Sequence, residues 1–448
     1  MKNFKRIICL ILCMVTLLSS LSLMAACNKD DGEDNASEPQ NSDGDGKGTE
    51  DATKDASDVG DESEQAKEAD TVYKEDLKKY SLIVPSGVNT NLKAMADNLV
   101  ETLNTSWKTE MTLGVDEDTE ASEYEILIGN TNRPETATFR NKLKDGQCGY
   151  GVVGRKIVIL GSEDAYTEKA ITIFVNLVVL ASRNASVKYM NKNQEKIVDA
   201  EDMITVISFN LRCGHSGTMQ GSSTKLIKSY MPDLLGVQEA DPAWMGALNG
   251  RLKKNGYAFV GLGRDGEGNG ERTAIFYRAD KFEVIKEATF WLTDTPEQVS
   301  VIEGSECRRI VTVAVFKRIS DGKEFVYANT HLDHSTKEVR TQQMKYLFEH
   351  VKNFTDSPYI ITGDFNCDKA SQTYRLMTEE LGYENCSALA PEARNRTHAT
   401  HTVGSTIDYC FRSSGAEFEP YLYAVCNEKK NGNVLSDHFP LLFIFNLH

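Results

Sequence analysis

The chain has 448 residues, of which 26% are charged and 40% hydrophobic, and its formal net charge is −16. This balance is typical of a globular protein of two or three domains and excludes a fully disordered chain. Residues 28–70 hold 16 acidic and 4 basic side chains and the first 27 residues add +3, so residues 71–448 carry only −7. A body without basic excess argues against tight, sequence-independent binding of polyanions, but less strongly against a nuclease, because a bound metal supplies local positive charge.

The N-terminal segment is typical of an export signal. Three basic side chains precede an apolar run over residues 7–23. The small residues before Cys27 resemble the cleavage site of a bacterial lipoprotein, so we predict a signal peptide over residues 1–26 and a lipid on Cys27. An uncleaved transmembrane anchor is the alternative, although the run is near the lower length limit for a span. The lipoprotein interpretation predicts a location at the bacterial cell membrane, lipid-anchored on its extracytoplasmic face.

Residues 27–70 are predicted to be the lipidated cysteine followed by a disordered acidic linker. The segment has almost no large apolar side chains, so it cannot bury enough surface to offset the entropy lost on ordering. Its like charges favour an extended tether. Seven cysteines follow in the body without a close pair, which is a poor pattern for a disulfide framework or a zinc site.

Residues 71–200 are predicted to form a small α/β accessory domain. Residues 124–129 have the pattern of a strand, residues 151–154 and 156–161 that of a hairpin, and residues 165–180 the apolar spacing of a helix. The segments "EILIGNTNRPET" and "YGVVGRKIVILGS" resemble the accessory domain that precedes the catalytic domain of some bacterial glycosidases. The segment has no cluster of catalytic carboxylates, so we assign it no chemistry.

Residues 203–448 alternate apolar strands with helices, which predicts an α/β protein with helix-covered sheets. Asp321-Gly322 marks a turn between two of the strands. A capping box at Ser335-x-x-Glu338 predicts the start of a helix. The predicted strands cover residues 205–209, 273–277, 311–316, 325–330, 359–362 and 441–445, and a further helix covers residues 223–230.

Polar side chains recur where the apolar strands of this region end. A single strand-end carboxylate is ordinary, but strand ends are rigid, and repetition across many strands can position one cleft. Burying that many carboxylates without compensation would be costly, so a metal or a paired histidine is the physical resolution. These residues are Asn210, Glu239, His331, Asp364, Asn366, Asp408, Asp437 and His438.

Seven ordered segments resemble the endonuclease/exonuclease/phosphatase superfamily: "ISFNLR", "GVQEA", "GERTAIFYR", "ANTHLDHS", "ITGDFNCD", "STIDYCF" and "SDHFP". They span about residues 203–446, and seven segments in order are far more specific than any one of them. The resemblance implies a four-layer α/β/β/α sandwich, two sheets packed together with helices outside. It also implies a phosphoesterase that depends on Mg²⁺, with Mn²⁺ as the alternative ion.

Three residues are predicted to form the metal site. Glu239 offers a hard oxygen ligand for Mg²⁺. Asn210 lies beside it as a neutral partner that holds either the metal or the carboxylate. Asp437 completes the set. Because neighbours in a strand face opposite sides, a loop must present Asp437 together with His438.

The catalytic roles also follow the resemblance. His438 would be the base, or the electrostatic partner, for attack on phosphorus. Asp408 would orient the His438 ring and stabilise its cation, as the carboxylate of a triad does. Asp364 and Asn366 are two residues apart and can face one cleft, where Asp364 would position the attacking water and Asn366 would hold a phosphoryl oxygen. His331 would contact the phosphate or protonate the leaving oxygen.

Two further catalytic positions are implied by the resemblance alone. Glu271 matches the family carboxylate that hydrogen-bonds His331. Arg309 matches a phosphate-contacting arginine of the deoxyribonuclease branch, and an ordinary surface arginine is the competing interpretation. His398 and His401 have the spacing of a metal pair on a helix, but no helix is indicated there.

The sequence therefore predicts an extracellular, membrane-anchored phosphoesterase that hydrolyses a phosphodiester or phosphomonoester by in-line attack of water. Nucleic acid, a phospholipid head group and a phosphorylated sugar stay open as substrates. Two alternatives compete, a non-catalytic binding lipoprotein and a glycosidase. No expected catalytic position is substituted, which opposes the first, and the carboxylates match a phosphoryl site rather than a pair that flanks a sugar, which opposes the second.

Overall fold

A computed structural model describes residues 68–181, 188–214, 217–415, 417–430, 432–433 and 435–448. The predicted signal peptide, Cys27 and nearly all of the predicted linker lie outside these residues. Every described residue belongs to one compact unit, Gln65–His448. No helix in the described part is both long and apolar enough to cross a membrane.

The N-terminal part of the described chain is built on a six-stranded sheet. The strands of the whole N-terminal part are β1 (Thr71–Tyr73), β2 (Ser81–Val84), β3 (Leu113–Val115), β4 (Glu125–Ile128), β5 (Gln147–Val153), β6 (Lys156–Gly161), β7 (Lys188–Asn191) and β8 (Lys196–Asp199). Its helices are α1 (Thr90–Trp107), α2 (Pro134–Arg140) and α3 (Asp164–Phe174). The sheet order is β3-β2-β4-β6-β5-β8, and β1 pairs with β7 separately. The predicted hairpin is present, because β5 pairs antiparallel with β6.

The C-terminal part contains two further sheets. Their strands are β9 (Met203–Asn210), β10 (Leu234–Gln238), β11 (Tyr257–Val260), β12 (Ile275–Arg278), β13 (Phe282–Trp291), β14 (Ile310–Arg318), β15 (Glu324–His331), β16 (Tyr359–Asp364), β17 (Glu384–Asn385), β18 (Glu392–Arg394), β19 (Asp408–Arg412), β20 (Phe418–Val425) and β21 (Leu441–Leu447). The first sheet has the order β11-β12-β10-β9-β21-β20-β18, and the second has the order β13-β14-β15-β16-β19-β17.

α-Helices connect the strands of these two sheets. They are α4 (Gly217–Tyr230), α5 (Pro242–Leu252), α6 (Lys337–Phe354), α7 (Gln372–Arg375) and α8 (Cys386–Leu389). Short 3-10 turns cover Lys74–Lys79, Lys192–Gln194 and Lys253–Asn255, and π-helical turns cover Val175–Val179 and Leu376–Glu380.

The two C-terminal sheets pack face to face because each strand sends apolar side chains to two buried faces. Ile204 and Val206 of β9 share a core with Phe316 and Tyr327 of the second sheet. The opposite face of β9 joins the core beneath α4 and α5, and α6 covers the outer face of the second sheet. The predicted four-layer α/β/β/α sandwich is therefore confirmed.

One local prediction is wrong, because α6 begins without the predicted capping box at Ser335 and Glu338. Its N-cap is Thr336, whose hydroxyl accepts a hydrogen bond from the backbone N–H of Val339 at 3.2 Å. Ser335 is held outside the helix because its own N–H donates to the carboxylate of Asp333 at 2.8 Å.

A buried ionic cluster joins the N-terminal part to the sandwich. Asp233, just before β10, accepts hydrogen bonds from the backbone N–H of Thr205 at 2.8 Å and from the side chain of Lys281 at 3.0 Å. It also pairs with Lys169 of α3, and these two side chains are 2% and 7% exposed. Removing one partner of a buried ion pair is strongly destabilising, so the cluster fixes the two parts together. The predicted boundary between residues 71–200 and 203–448 stays a prediction, because both segments lie in one compact unit.

Candidate active site

The register of the second sheet places three predicted site residues in one row. His331 of β15 is paired with Asp364 of β16, and Asp364 is paired with Asp408 of β19. Side chains at paired positions lie on the same face of a sheet. From the first sheet, the amide of Asn210 at the end of β9 donates to Oδ2 of Asp364 at 3.0 Å. The strand ends of both sheets therefore meet at one cleft.

Asp408 and His438 form a buried hydrogen-bonded pair. The two carboxylate oxygens of Asp408 lie 3.0 and 2.9 Å from Nδ1 of His438, which is the contact that the sequence predicts. Burial lowers the pKa of His438, but attraction to Asp408 and the hydrogen bond outweigh this effect and raise the pKa to about 9. His438 is therefore a cation at neutral pH.

Asp364 lies between two histidines. Its Oδ2 is 3.6 Å from Nε2 of His331 and 3.6 Å from Nε2 of His438. Its Oδ1 accepts a hydrogen bond from the backbone N–H of Asn366 at 2.9 Å. Burial and the negative charge of Asp408 raise the pKa of Asp364 to about 7. Asp364 can therefore exchange a proton near neutral pH.

His331 is held as a neutral ring beside Asn366. The amide nitrogen of Asn366 lies 3.1 Å from Nε2 of His331 and donates to the carbonyl of Leu332 at 2.9 Å. Burial lowers the pKa of His331 well below its ordinary value, and the nearby Arg309 lowers it further. With Nε2 accepting from the amide, the proton of His331 lies on Nδ1.

Glu239 follows β10 in the left-handed region, with φ of +55°. Its Oε1 accepts from the amide of Asn210 at 3.0 Å, and its Oε2 accepts from the backbone N–H of Cys213 at 2.9 Å. The oxygen of Asn210 accepts from the backbone N–H of Arg212 at 3.0 Å. In this arrangement the amide nitrogen of Asn210 donates to the carboxylates of both Glu239 and Asp364.

Asp437 lies apart from this acidic pair. Its Oδ2 is 3.3 Å from Nε of Arg212. One oxygen of Asp437 and one ring nitrogen each of His401 and His438 lie within 4.8 Å of one another. Asp364, Asp408 and His438 form a second group of this size, and neither group includes Glu239. The predicted metal residues Glu239 and Asp437 therefore do not form one such cluster in the described part of the chain.

The carboxylate of Glu271 pairs with Arg264 rather than hydrogen-bonding His331, although both residues line one small pocket, which corrects the prediction made for it. Its two carboxylate oxygens pair with Arg264 at 2.8 and 2.9 Å. The reason is local, because the backbone N–H of Arg264 donates to the carbonyl of Glu271 at 2.9 Å and sets the two side chains side by side. The ring of His331 is held by Asn366 instead.

Arg309 is buried, with only 5% of its side chain exposed, so the surface interpretation is wrong. Its Nε lies 3.6 Å from Asp333 and has no hydrogen-bond partner. A small pocket beside His331 is lined by arginines together with Glu239 and Glu271. The arginines that line it are Arg264, Arg272, Arg308 and Arg309.

His401, which has the spacing of a helical metal pair with His398, is brought to the cleft by the structure. The His401 ring packs edge-on against that of His438, with centroids 4.4 Å apart and an interplanar angle of 88°. The contact depends on a backbone bridge between residues 37 positions apart. No helix forms at residues 398–401, so no local periodicity could have indicated it.

Comparison with known proteins gives a consistent set of relatives. A model described as "Endonuclease/Exonuclease/phosphatase family" matches residues 207–438. Protein angel of Drosophila melanogaster is 32% identical over 206 residues, 41% of this chain and 55% of that protein. Nocturnin of Xenopus laevis is 26% identical over 254 residues, 50% of this chain and 62% of that protein. The match thus spans less than two thirds of the length of these curated relatives.

Two crystal structures match the sandwich with 28% identity and a TM-score of 0.50. One is an endonuclease/exonuclease/phosphatase family protein from Bacteroides thetaiotaomicron, and the match covers 54% of this chain and 97% of that one. The other is an endonuclease/exonuclease/phosphatase from Bacteroides vulgatus, and the match covers 55% of this chain and 99% of that one.

Proposed function

The chain belongs to the endonuclease/exonuclease/phosphatase family, and from this premise we propose that its cleft hydrolyses phosphate esters with the help of a divalent cation. The family match confirms the resemblance carried by the seven sequence segments. The observation that carries the proposal is the row of His331, Asp364 and Asp408, with His438 bonded to Asp408 at 2.9 Å. Within one buried cleft, His331 is a hydrogen-bond donor, Asp364 is a proton acceptor and His438 is a cation.

Asp364 is the residue best placed to orient the attacking water and to accept its proton. Its pKa of about 7 balances its two protonation states near neutral pH. His438 acts as the electrostatic partner rather than the base, because an imidazolium has no free lone pair to accept a proton. Its charge stabilises the phosphoryl oxygens as water attacks opposite the leaving oxygen. His331, which is neutral, donates a hydrogen bond to the phosphate or to the leaving oxygen.

The residues around Glu239 fit a hard divalent cation. In the part of the chain that the structure describes, no cationic side chain pairs with Glu239, whose carboxylate is held by Asn210 and by a backbone N–H. Carboxylate oxygens are the ligands that Mg²⁺ prefers, and Mn²⁺ shares this preference. When bound, the cation polarises a phosphoryl oxygen and stabilises the charge that develops there. We propose Glu239 as the principal ligand.

We propose a compact phosphate ester as the substrate rather than a long nucleic acid. The body of the chain, residues 71–448, carries a net charge of −7 and so has no basic excess along which a long polyanion would bind. Four arginines, together with Glu239 and Glu271, line one small pocket beside His331. A phospholipid head group or a phosphorylated sugar therefore fits better.

We also propose that the enzyme acts outside the cell while anchored to the membrane. The support is the sequence alone: the export signal, Cys27 after small residues, and the acidic segment that follows. A tether of this length and charge would hold the cleft away from the membrane surface.

A metal-supplemented screen tests the activity. We would measure hydrolysis of bis(p-nitrophenyl) phosphate and p-nitrophenyl phosphate, and then of DNA, RNA, sphingomyelin, sugar phosphates and inositol phosphates, with Mg²⁺ or Mn²⁺ and with EDTA. We expect activity that EDTA abolishes and added metal restores. The His438→Ala variant, purified in the same way, controls for contaminating phosphatases. Hydrolysis of none of these esters would favour the binding-lipoprotein alternative, and activity that EDTA leaves unchanged would contradict the metal requirement.

A further inference from the structure

The loop that precedes β19 brings a second histidine against His438. A backbone bridge joins His401 to His438, and beside it the N–H of Thr402 donates to the carbonyl of Asp437 at 2.8 Å. The two imidazole rings meet edge to face, with their centroids 4.4 Å apart. His401 is therefore a fixed neighbour of the proposed catalytic cation.

Hydrogen bonds also hold the same loop against Asp408, which forms the buried pair with His438. The hydroxyl oxygen of Thr400 accepts hydrogen bonds from the backbone N–H groups of Ile407 and Asp408 at 3.0 and 3.1 Å. The carbonyl of Thr400 accepts from the N–H of Phe439 at 2.7 Å. The backbone around His401 is thus tied on both sides of the Asp408–His438 pair, which makes it a rigid platform for a site residue.

The tautomer of His401 follows from its own turn. The backbone N–H of Val403 donates to Nδ1 of His401 at 3.1 Å, and a backbone N–H can only donate. Nδ1 must therefore carry the lone pair, and the proton of the neutral ring lies on Nε2. No residue in the described ranges hydrogen-bonds this Nε2, and it is absent from the buried side-chain atoms that lack a partner, so it is open to solvent.

This tautomer decides between two roles. A ring nitrogen of His401 lies within 4.8 Å of an oxygen of Asp437 and a ring nitrogen of His438, a spacing that a metal ion could bridge. A metal ligand needs a ring lone pair, however, and the lone pair of His401 is already engaged by Val403. The open nitrogen offers an N–H, which suits an anionic oxygen and not a cation.

On the basis of the proposed phosphoesterase function, we infer that His401 is a further catalytic residue whose Nε2–H donates a hydrogen bond to an oxygen of the substrate phosphate. The donor lies next to the cation of His438 but adds no second positive charge. A preorganised donor of this kind stabilises charge that develops on oxygen without reorganising during the reaction. The hydrogen bond from His401 would also place the ester group on the side of His438 that faces His401.

Matched substitutions separate the donor from the ring. His401→Phe keeps an aromatic ring against His438 and removes the donor, while His401→Gln returns an N–H near the position of Nε2. With bis(p-nitrophenyl) phosphate we expect kcat/KM to fall about 10- to 100-fold in the Phe variant and to return to within about fivefold of wild type in the Gln variant. His398→Phe is the control, because His398 lies on the same loop but packs on Phe439, and its activity should not change.

Three measurements on the full chain do not depend on turnover. Histidine-selective ¹⁵N NMR should place the proton of His401 on Nε2. Calorimetry should show weaker binding of inorganic phosphate by His401→Phe, with unchanged binding of Mg²⁺, Mn²⁺ and Zn²⁺. Thermal unfolding of the Phe and Gln variants should match, which excludes a difference in folding.

Several outcomes would overturn the inference. These are a proton on Nδ1, unchanged phosphate binding and kcat/KM in His401→Phe, or weakened binding of a divalent metal in that variant, which would make His401 a ligand. The proposed function fails separately. If the wild type hydrolyses no phosphate ester but its binding of inorganic phosphate still depends on His401, the donor role stands and the catalytic proposal does not.

Discussion

Replacing Asp408 with asparagine is expected to leave the fold intact and to remove most of the activity. The two side chains have nearly the same shape, but the amide carries no charge. Both oxygens of Asp408 lie within 3.0 Å of Nδ1 of His438, and both residues are buried, at 4% and 5% exposure. Solvent therefore cannot replace the missing charge.

The size of the effect follows from the protonation of His438. Burial alone lowers its pKa, and Asp408 is the main influence that raises it to about 9 from an ordinary value of 6.5. Without the carboxylate we expect a pKa at or below the ordinary value, which removes about 3 kcal/mol of stabilisation of the cation and leaves at most about a quarter of His438 protonated at pH 7. Loss of the ring orientation can extend the loss of activity to about 10⁴-fold, as it does for triad carboxylates.

The dependence of kcat on pH tests the same assignment. Activity should rise with pH as Asp364 loses its proton near pH 7 and fall as His438 loses its proton near pH 9. The two groups lie 3.6 Å apart, so these limits belong to the pair. In Asp408→Asn the falling limb should move to lower pH, because the imidazolium is less stable. An unmoved falling limb would contradict the role of Asp408.

A double-mutant cycle completes the test. His438→Ala should lose at least as much activity as Asp408→Asn, and the double variant should be barely worse than His438→Ala, because residues that act as one unit are not additive. If the two losses multiply, the residues act independently and the proposed pair is wrong. Unfolding midpoints of the three variants would show whether any of them has lost its fold.

Three other predictions test the metal site, the buried ionic cluster and the anchor. Glu239→Gln should weaken Mg²⁺ binding about 10- to 100-fold, measured by calorimetry against Glu271→Gln as a control; equal affinity in the Glu239 variant would exclude it as the ligand. Asp233→Asn should lower the free energy of unfolding by about 3–5 kcal/mol in urea titrations at neutral pH. Although burial raises the pKa of Asp233, ion pairs with two lysines lower the pKa below its ordinary value. The stability that Asp233 contributes is therefore present above about pH 4 and is lost as the pH falls below that value. Equal stability of wild type and variant at neutral pH would contradict this account. Mass spectrometry of membrane fractions should find a lipid on Cys27 at the N-terminus, and an intact Met1 would refute the cleavage.

Much of the sandwich and many of the site positions could be predicted from the sequence. The nearly continuous apolar run over residues 203–209 indicates a strand with two buried faces, and Asn210 directly after that run marks the strand end. Asp364 and Asn366 are similarly identified by the strand that precedes them. Such positions can be predicted from the sequence because the periodicity of a strand and its end depend only on consecutive residues.

The pairing of side chains across the cleft was decided only by the tertiary structure. Glu271 was predicted to contact His331, but the backbone of its own loop aligns it with Arg264. His401 reaches His438 through a bridge between two distant loops, which no local pattern encodes. The sequence by itself determined which residues have the chemistry for phosphate and metal. Which of them touch was set by strand register and loop closure, because a shift of about one angstrom in either creates or removes a hydrogen bond.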